Sequence, residues 1–215
     1  MHIELSRVEM RLRGRDKPLF TLPSLDIAPG SRVLIHGPSG SGKTTLLHLL
    51  CGQFLPHAGS IRVGETDLTT LSASDRARYR REHFGIIFQR ANLIEHLTSL
   101  ENIEVGMRIG FADFSKRAMS ALQSMGLDSL SERRAGLLSP GEQQRVAVAR
   151  ICATSPSIIL ADEPTSSLDL PSTDTVMDAL WKASHGKTLV TVSHDPRILS
   201  RFDVVYDFTD LVTAL

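Results

Sequence analysis

The chain predicts an α/β fold: a mostly parallel sheet core with an N-terminal antiparallel β part and an inserted helical subdomain. Three observations lead there. From residue 32 onward short apolar strands alternate with amphipathic helices, the order that a parallel sheet with crossover helices requires. A glycine-rich turn, Gly37 to Thr44, joins a buried strand directly to a helix. Between about residues 90 and 155 strand signals vanish and helical spacing takes over. At 215 residues there is chain for one substantial core, so 1–215 reads as a single domain with the helical stretch as its subdomain.

Ile3 to Leu12 alternates polar and apolar residues as a strand does, and Gly14 to Pro18 turns the chain. Phe20 to Ile27 resumes the alternation, interrupted by Pro23, which has no N–H for a ladder and so marks an edge strand. Pro29 and Gly30 turn into Arg32 to His36, where Val33, Leu34 and Ile35 form a buried strand. The helix after the glycine-rich turn carries Leu46, Leu47, Leu49 and Leu50 until Gly52 and Pro56 break it. Gly59 to Val63 is a short strand, Ser72 to His83 a helix, and Gly85 to Phe88 a buried strand ending at Gln89.

Within the helical stretch, Thr98 to Met107 is built around Leu100, Ile103 and Val105. Ser115 to Met125 places Met119, Leu122 and Met125 at helical spacing, methionines that fill core gaps rather than bind ligands. Glu142 to Ala153 is a further helix, Ile158 to Ala161 a buried strand, and Thr173 to Ser184 a helix with Val176, Leu180 and Trp181 inward. Thr188 to Val192 and Val204 to Tyr206 are the last strands.

Charge is balanced, with 24 Lys and Arg against 24 Asp and Glu, so no global field draws the chain to nucleic acid or anionic lipid. Arg76, Arg78, Arg80 and Arg81 cluster on one helix and read as a solvated face. Two cysteines, Cys51 and Cys152, each inside an apolar helical pattern, read as buried thiols in a reducing compartment. Met1 to Met10 lacks the continuous apolar segment of a secretory signal. No apolar run approaches the roughly 18 residues that would span a bilayer, so a membrane role is expected only through a partner chain.

Gly37, Pro38, Ser39, Gly40, Ser41, Gly42, Lys43 and Thr44 match G-x-x-x-x-G-K-[ST], a loop whose backbone N–H groups cradle phosphates. The glycines let backbone approach an anion without a Cβ in the way, Lys43 brings a point charge to the phosphates, and Thr44 offers a hydroxyl to Mg2+. A helix N-terminus aimed at negative charge completes the design. Asp162 and Glu163 end a buried strand, where an open parallel sheet places its ligands. Asp162 is placed to hold Mg2+ and Glu163, held extended by Pro164, to polarise a water; alone, the same residues read equally as a strand-end turn. Ser139 and Glu142 form a capping box with Pro140 at the first helical position, which alone is only a sharp helix start.

Taken together these motifs resemble an ATP-binding cassette (ABC) ATPase, a P-loop NTPase, in order and spacing over essentially the whole chain. The resemblance makes Gly37 to Thr44 the Walker A loop, Gln89 the Q-loop glutamine, Leu138 to Glu142 the signature and Ile158 to Glu163 the Walker B strand. Ser167, Leu168 and Asp169 resemble the D-loop, and His194 the switch histidine. It implies ATP and Mg2+ as ligands, with the nucleotide held by Gly37 to Thr44 and Thr45, and by Ser139, Gly141 and Asp169 from a second copy. Thr44, Gln89 and Asp162 would hold the metal, and Lys43, Gln89, Glu163 and His194 would carry the chemistry. The stretch from Phe84 to Gln89, with Asn92, Leu93 and Thr98 to Ile103, is similar to the branch of lipoprotein-releasing, macrolide-efflux and cell-division cassettes. That branch implies a homodimer in the ATP state, an integral membrane permease as partner and a place on the cytoplasmic face of the inner membrane. Nucleic acid is not an expected partner. A chromosome-maintenance ATPase would need sustained heptads between the loop and the signature, and a translation factor a second cassette.

Two departures bear on function. Pro140 and Glu142 stand where the family has glycine and glutamine, removing one N–H donor and adding a charge, so the alternative is a nucleotide-sensing module with little turnover. At the family's adenine-stacking position this chain has Leu12, flanked by Arg11 and Arg13.

Overall fold

The computed structural model describes residues 1–12, 14, 17–107 and 113–213. Arg13 and part of the turn expected at Gly14 to Pro18 lie outside the described residues. In chain order the elements begin with β1 (Ile3–Met10), β2 (Phe20–Ile27), β3 (Arg32–His36) and α1 (Lys43–Leu50). Then come β4 (Ala58–Val63), β5 (Thr66–Asp67), α2 (Ala73–His83) and β6 (Phe84–Ile87). The helices α3 (Ser99–Met107), α4 (Phe114–Ser124) and α5 (Pro140–Thr154) follow, and the chain continues through β7 (Ile158–Asp162), α6 (Leu170–Ala183), β8 (Thr188–Ser193), β9 (Val204–Asp207) and α7 (Phe208–Leu211).

The chain divides into two units, one of Met1–Phe84, Ser157–Glu163 and Gly186–Leu215, the other of Gly85–Pro156 and Pro164–His185. In the first, an antiparallel sheet is ordered β2-β1-β4-β5, which leaves β2 at an edge as Pro23 requires. Along β1 burial switches from Ile3 and Leu5 to Val8 and Met10. The cause is a bulge: the ladder to β4 slips between Ser6 and Glu9, and Arg7 takes a φ of 48°. Gly59 faces that bulge with its own φ at 93°, and a Cβ there would lie 2.4 Å from the Arg7 carbonyl oxygen. No other residue fits the position.

The strands of the parallel sheet in this unit are ordered β7-β8-β3-β9, with Ala161 beside Thr191 and His36 beside both Ser193 and Asp207. Helix α1 packs on β7 and β8, and its Leu46, Leu47, Leu49 and Leu50 are all fully buried. Each contributes about 1.5–3 kcal/mol by leaving water. Helix α2 buries no residue, and the solvated face expected of its arginines is only half correct. Arg76 donates to the carbonyls of Gly52 and Leu71, at 2.8 and 2.9 Å, and Arg80 reaches Gly52 at 3.3 Å. A helix that buries no side chain is held by guanidinium groups and by Tyr79, whose hydroxyl donates to Val63 O at 2.8 Å.

In the second unit α5 packs against α3, α4 and α6. Its Val146, Ala147, Val148 and Ala149 are all buried, so small side chains let neighbours approach on several sides. Asn102 of α3 is buried and uses its amide to tie Ile94 N, Ile94 O and Thr98 O. Several expectations about inward faces fail here, and Leu100 and Met119 are only half-buried. Val105 is 44% exposed, because the inward stripe of α3 runs through Ser99, Asn102, Ile103 and Met107. Trp181 is half-buried, the inward positions of α6 being Val176, Met177, Leu180 and Ala183. Cys152 is half-buried as well, whereas Cys51 is buried and its thiol is pushed up by desolvation.

Candidate functional site

β3 delivers the chain at His36 into the glycine-rich loop, and α1 carries it away. Gly42 caps α1 with a φ of 112°, where any side chain would be strained, and a Cβ there would meet the Phe20 ring at 3.1 Å. Beneath the loop Phe20 and Phe208 pack edge to face with ring centroids 5.6 Å apart. Both rings are buried. The loop therefore rests on an aromatic floor, built by β2 and the four-residue α7, that no motif announces.

Lys43 is 4% exposed. Its ammonium donates to the carbonyls of Gly37 and Pro38, both at 2.8 Å, and lies 3.7 Å from Glu163 Oε1. The Ser41 hydroxyl in the same loop is buried with no partner, a donor that a bound anion would satisfy. The Thr44 hydroxyl donates to Asp162 Oδ1 at 3.0 Å, bringing together two residues 118 positions apart in sequence.

Asp162 is buried at the end of β7, and desolvation pushes its carboxyl above the ordinary aspartate range; the Thr44 hydroxyl opposes this and the Glu163 charge adds to it. On α1, burial lowers His48, with the Asp162 charge opposing. A carboxylate and a hydroxyl side by side offer the oxygen donors that a hard divalent cation takes. Among the described residues no three His, Cys, Asp or Glu are arranged to hold a metal ion by themselves, so such a cation would need phosphate or water oxygens to complete its shell. That donor set fits Mg2+.

Glu163 is not extended, as its place before Pro164 suggests, but takes a left-handed φ of 46°. Local sterics lose to hydrogen bonds. Its N–H donates to Val192 O at 2.9 Å, and its carboxylate accepts from Ser193 Oγ at 2.9 Å and from the His194 N–H at 3.1 Å. The His194 ring Nδ1 lies 2.8 Å from Glu163 Oε1, leaving Nε2 as the outward ring atom of an exposed side chain. Lys43, Thr44, Asp162, Glu163 and His194 thus converge within the first unit.

The remaining expected site residues belong to the second unit. Gln89 is exposed and donates to Ser166 Oγ at 3.2 Å, beside a cleft of about 390 Å³ lined by Gln89, Pro140, Gln143, Gln144 and Ser167. Both halves of the capping box are formed: Glu142 N donates to Ser139 Oγ at 3.4 Å, and Ser139 N to Glu142 Oε2 at 2.7 Å. The Ser139 hydroxyl also donates to Glu142 Oε2 at 3.0 Å. The backbone hydrogen bond from Ser139 draws the Glu142 carboxyl below the ordinary glutamate range. Gly141 lies close against Ser172, where a Cβ would stand 3.2 Å from its side chain, and Asp169 caps α6 by accepting from Ser172 N at 3.0 Å. In the first unit, at the position expected to meet adenine, Leu12 is 36% exposed and Arg11 is paired with Glu9 at 2.5 Å.

A family model described as ABC transporter matches residues 21–166. The chain belongs to this family. An uncharacterized ABC transporter ATP-binding protein of Mycobacterium bovis is 45% identical over 188 residues, covering 86% of this chain and 57% of that one. The macrolide export ATP-binding/permease protein MacB of Escherichia coli K12 is 41% identical over 214 residues, covering 97% of this chain and 33% of MacB. The cassette therefore spans about half the length, or less, of these relatives. Among solved structures, the ATP-binding cassette MJ0796, dimeric in a post-hydrolysis state with ADP and Pi, has a TM-score of 0.84 at 32% identity, covering 95% of this chain and 94% of that one. The α/β fold and the ABC class read from the motifs agree with these findings. No helix among the described residues is long and apolar enough to cross a membrane.

Proposed function

We propose that this cassette binds and hydrolyses ATP as a dimer and drives a membrane permease. The observation that carries the reading is the convergence of Lys43, Thr44, Asp162, Glu163 and His194 around one loop. Lys43, held on the Gly37 and Pro38 carbonyls, would exchange them for the β and γ phosphates, while Ser41 and the loop N–H groups would cradle the same oxygens. Thr44 and Asp162 would hold Mg2+, which when bound neutralises phosphate charge. Glu163 would orient the attacking water and take its proton on the carboxylate, and His194 would contact the γ-phosphate. We extend the reading to Gln89 as a cation ligand and to Ser139, Gly141 and Asp169 as contacts to the nucleotide of a second copy.

The dimer rests on the dimeric MJ0796 cassette, and the permease on MacB, whose own name joins ATP-binding to permease. With such a partner the cassette would sit on the cytoplasmic face of the membrane. A second reading, nucleotide sensing with little turnover, draws on Pro140 and Glu142. The capping box weighs against it, since the Glu142 charge is spent on its own helix start and Gly141 keeps its N–H. Phosphate release with and without Mg2+ separates the two. Mg2+-dependent release, together with an ATP-dependent dimer in sedimentation of the Glu163→Gln variant, is expected; ATP binding with neither release nor dimer would establish the sensor.

A further inference from the structure

We infer that Ser193 is a positioning residue for the catalytic carboxylate of Glu163. The inference rests on the proposed role of Glu163 as base. Ser193, the last residue of β8, is fully buried, unlike its exposed neighbour His194. Its hydroxyl donates to Glu163 Oε2 at 2.9 Å. The other side of the Ser193 oxygen accepts the Asp195 N–H at 3.0 Å. A serine hydroxyl carries one proton, so with its acceptor side taken by a backbone N–H that proton is committed to Glu163.

The neighbouring residues make the arrangement rigid. Asp195 is buried, caps the following turn through Arg197 N at 3.0 Å, and is gripped by the Arg197 guanidinium at 2.7 to 3.0 Å. The Asp195 N–H that fixes the Ser193 oxygen is therefore itself fixed. Glu163 stands at a φ of 46°, a backbone with no preference of its own for that residue, and its carboxylate needs an external reference to keep one plane. His194 holds Oε1 and Ser193 holds Oε2, so the carboxylate has a donor at each oxygen and its rotation is blocked. The His194 ring lies on an exposed side chain that can swing; the donors that stay are the His194 N–H, 3.1 and 3.3 Å from the two oxygens, and the Ser193 hydroxyl, the one fixed side-chain donor.

The test is steady-state phosphate release from Mg·ATP for Ser193→Ala, Ser193→Thr, Glu163→Gln and the Ser193→Ala/Glu163→Gln double variant. Affinity for a fluorescent ATP analogue and thermal midpoints are measured alongside. Loss of a hydrogen bond to a charged group predicts a kcat for Ser193→Ala roughly tenfold or more below wild type, with KM and analogue affinity within about twofold. Ser193→Thr, which keeps the hydroxyl, restores most of kcat. The double variant turns over no more slowly than Glu163→Gln alone, because the hydroxyl acts only through that carboxylate. Wild-type kcat in Ser193→Ala, failure of threonine to rescue, or a further loss in the double variant overturns the inference. Near-normal turnover in Glu163→Gln instead overturns the reading on which it rests.

Discussion

At the scale of single residues, the backbone is forced where chemistry or topology demands it. Glu163 and Gly59 both stand in the left-handed region, for different reasons. Glu163 is held there by bonds to Val192, Ser193 and His194, so its strain belongs to the site. Gly59 is there because β1 bulges at Arg7 and leaves no room for a Cβ. Gly59→Ala is expected to lower stability by about 2–4 kcal/mol in urea denaturation, through positive φ and the close carbonyl together; a loss under about 1 kcal/mol would mean the bulge relaxes. Neither position was legible in the sequence. Asp-Glu-Pro suggests an extended glutamate, and only the hydrogen bonds from β8, 30 residues on, reverse that.

At the scale of elements, caps and floors do what hydrophobic spacing cannot report. The start of α5 was fully readable from Ser139, Pro140 and Glu142, because a capping box is local chemistry. Glu142 also sets a pH dependence. Its carboxyl titrates lower in the folded chain than in the unfolded one, so its contribution is present above the ordinary glutamate range and is lost as pH falls through the lowered folded value. Glu142→Gln should remove that part of the acid sensitivity, seen as a shallower fall of the thermal midpoint with pH. An unchanged slope would show that the charge contributes nothing to the cap. Helix α7, by contrast, left no periodic signal in four residues, yet Phe208 closes the floor under the phosphate loop. Phe208→Ala is expected to cost about 3–5 kcal/mol and to weaken ATP affinity beyond what the remaining folded fraction explains; normal affinity in the folded fraction would mean the loop holds its shape unaided. The missed inward faces, Val105 and Trp181, share one cause: helical spacing gives a stripe, but which neighbour it meets decides the phase.

At the scale of the whole molecule, the class of fold and the set of motifs were legible because phosphate chemistry fixes residue types at fixed spacing. The partners were not, because Ser193, Ser166 and Phe208 are ordinary residues whose importance comes only from what folds against them. The two units carry different shares: one brings together the loop, Asp162, Glu163 and His194, the other the Ser139 helix start, Gln89 and Asp169. The role of Glu163 as base of an ATP hydrolase is tested by comparing Glu163→Gln with wild type for equilibrium ATP binding and for phosphate release in one preparation. Binding should be retained and turnover lowered by roughly a hundredfold or more; near-normal release from the variant would rule Glu163 out as the base.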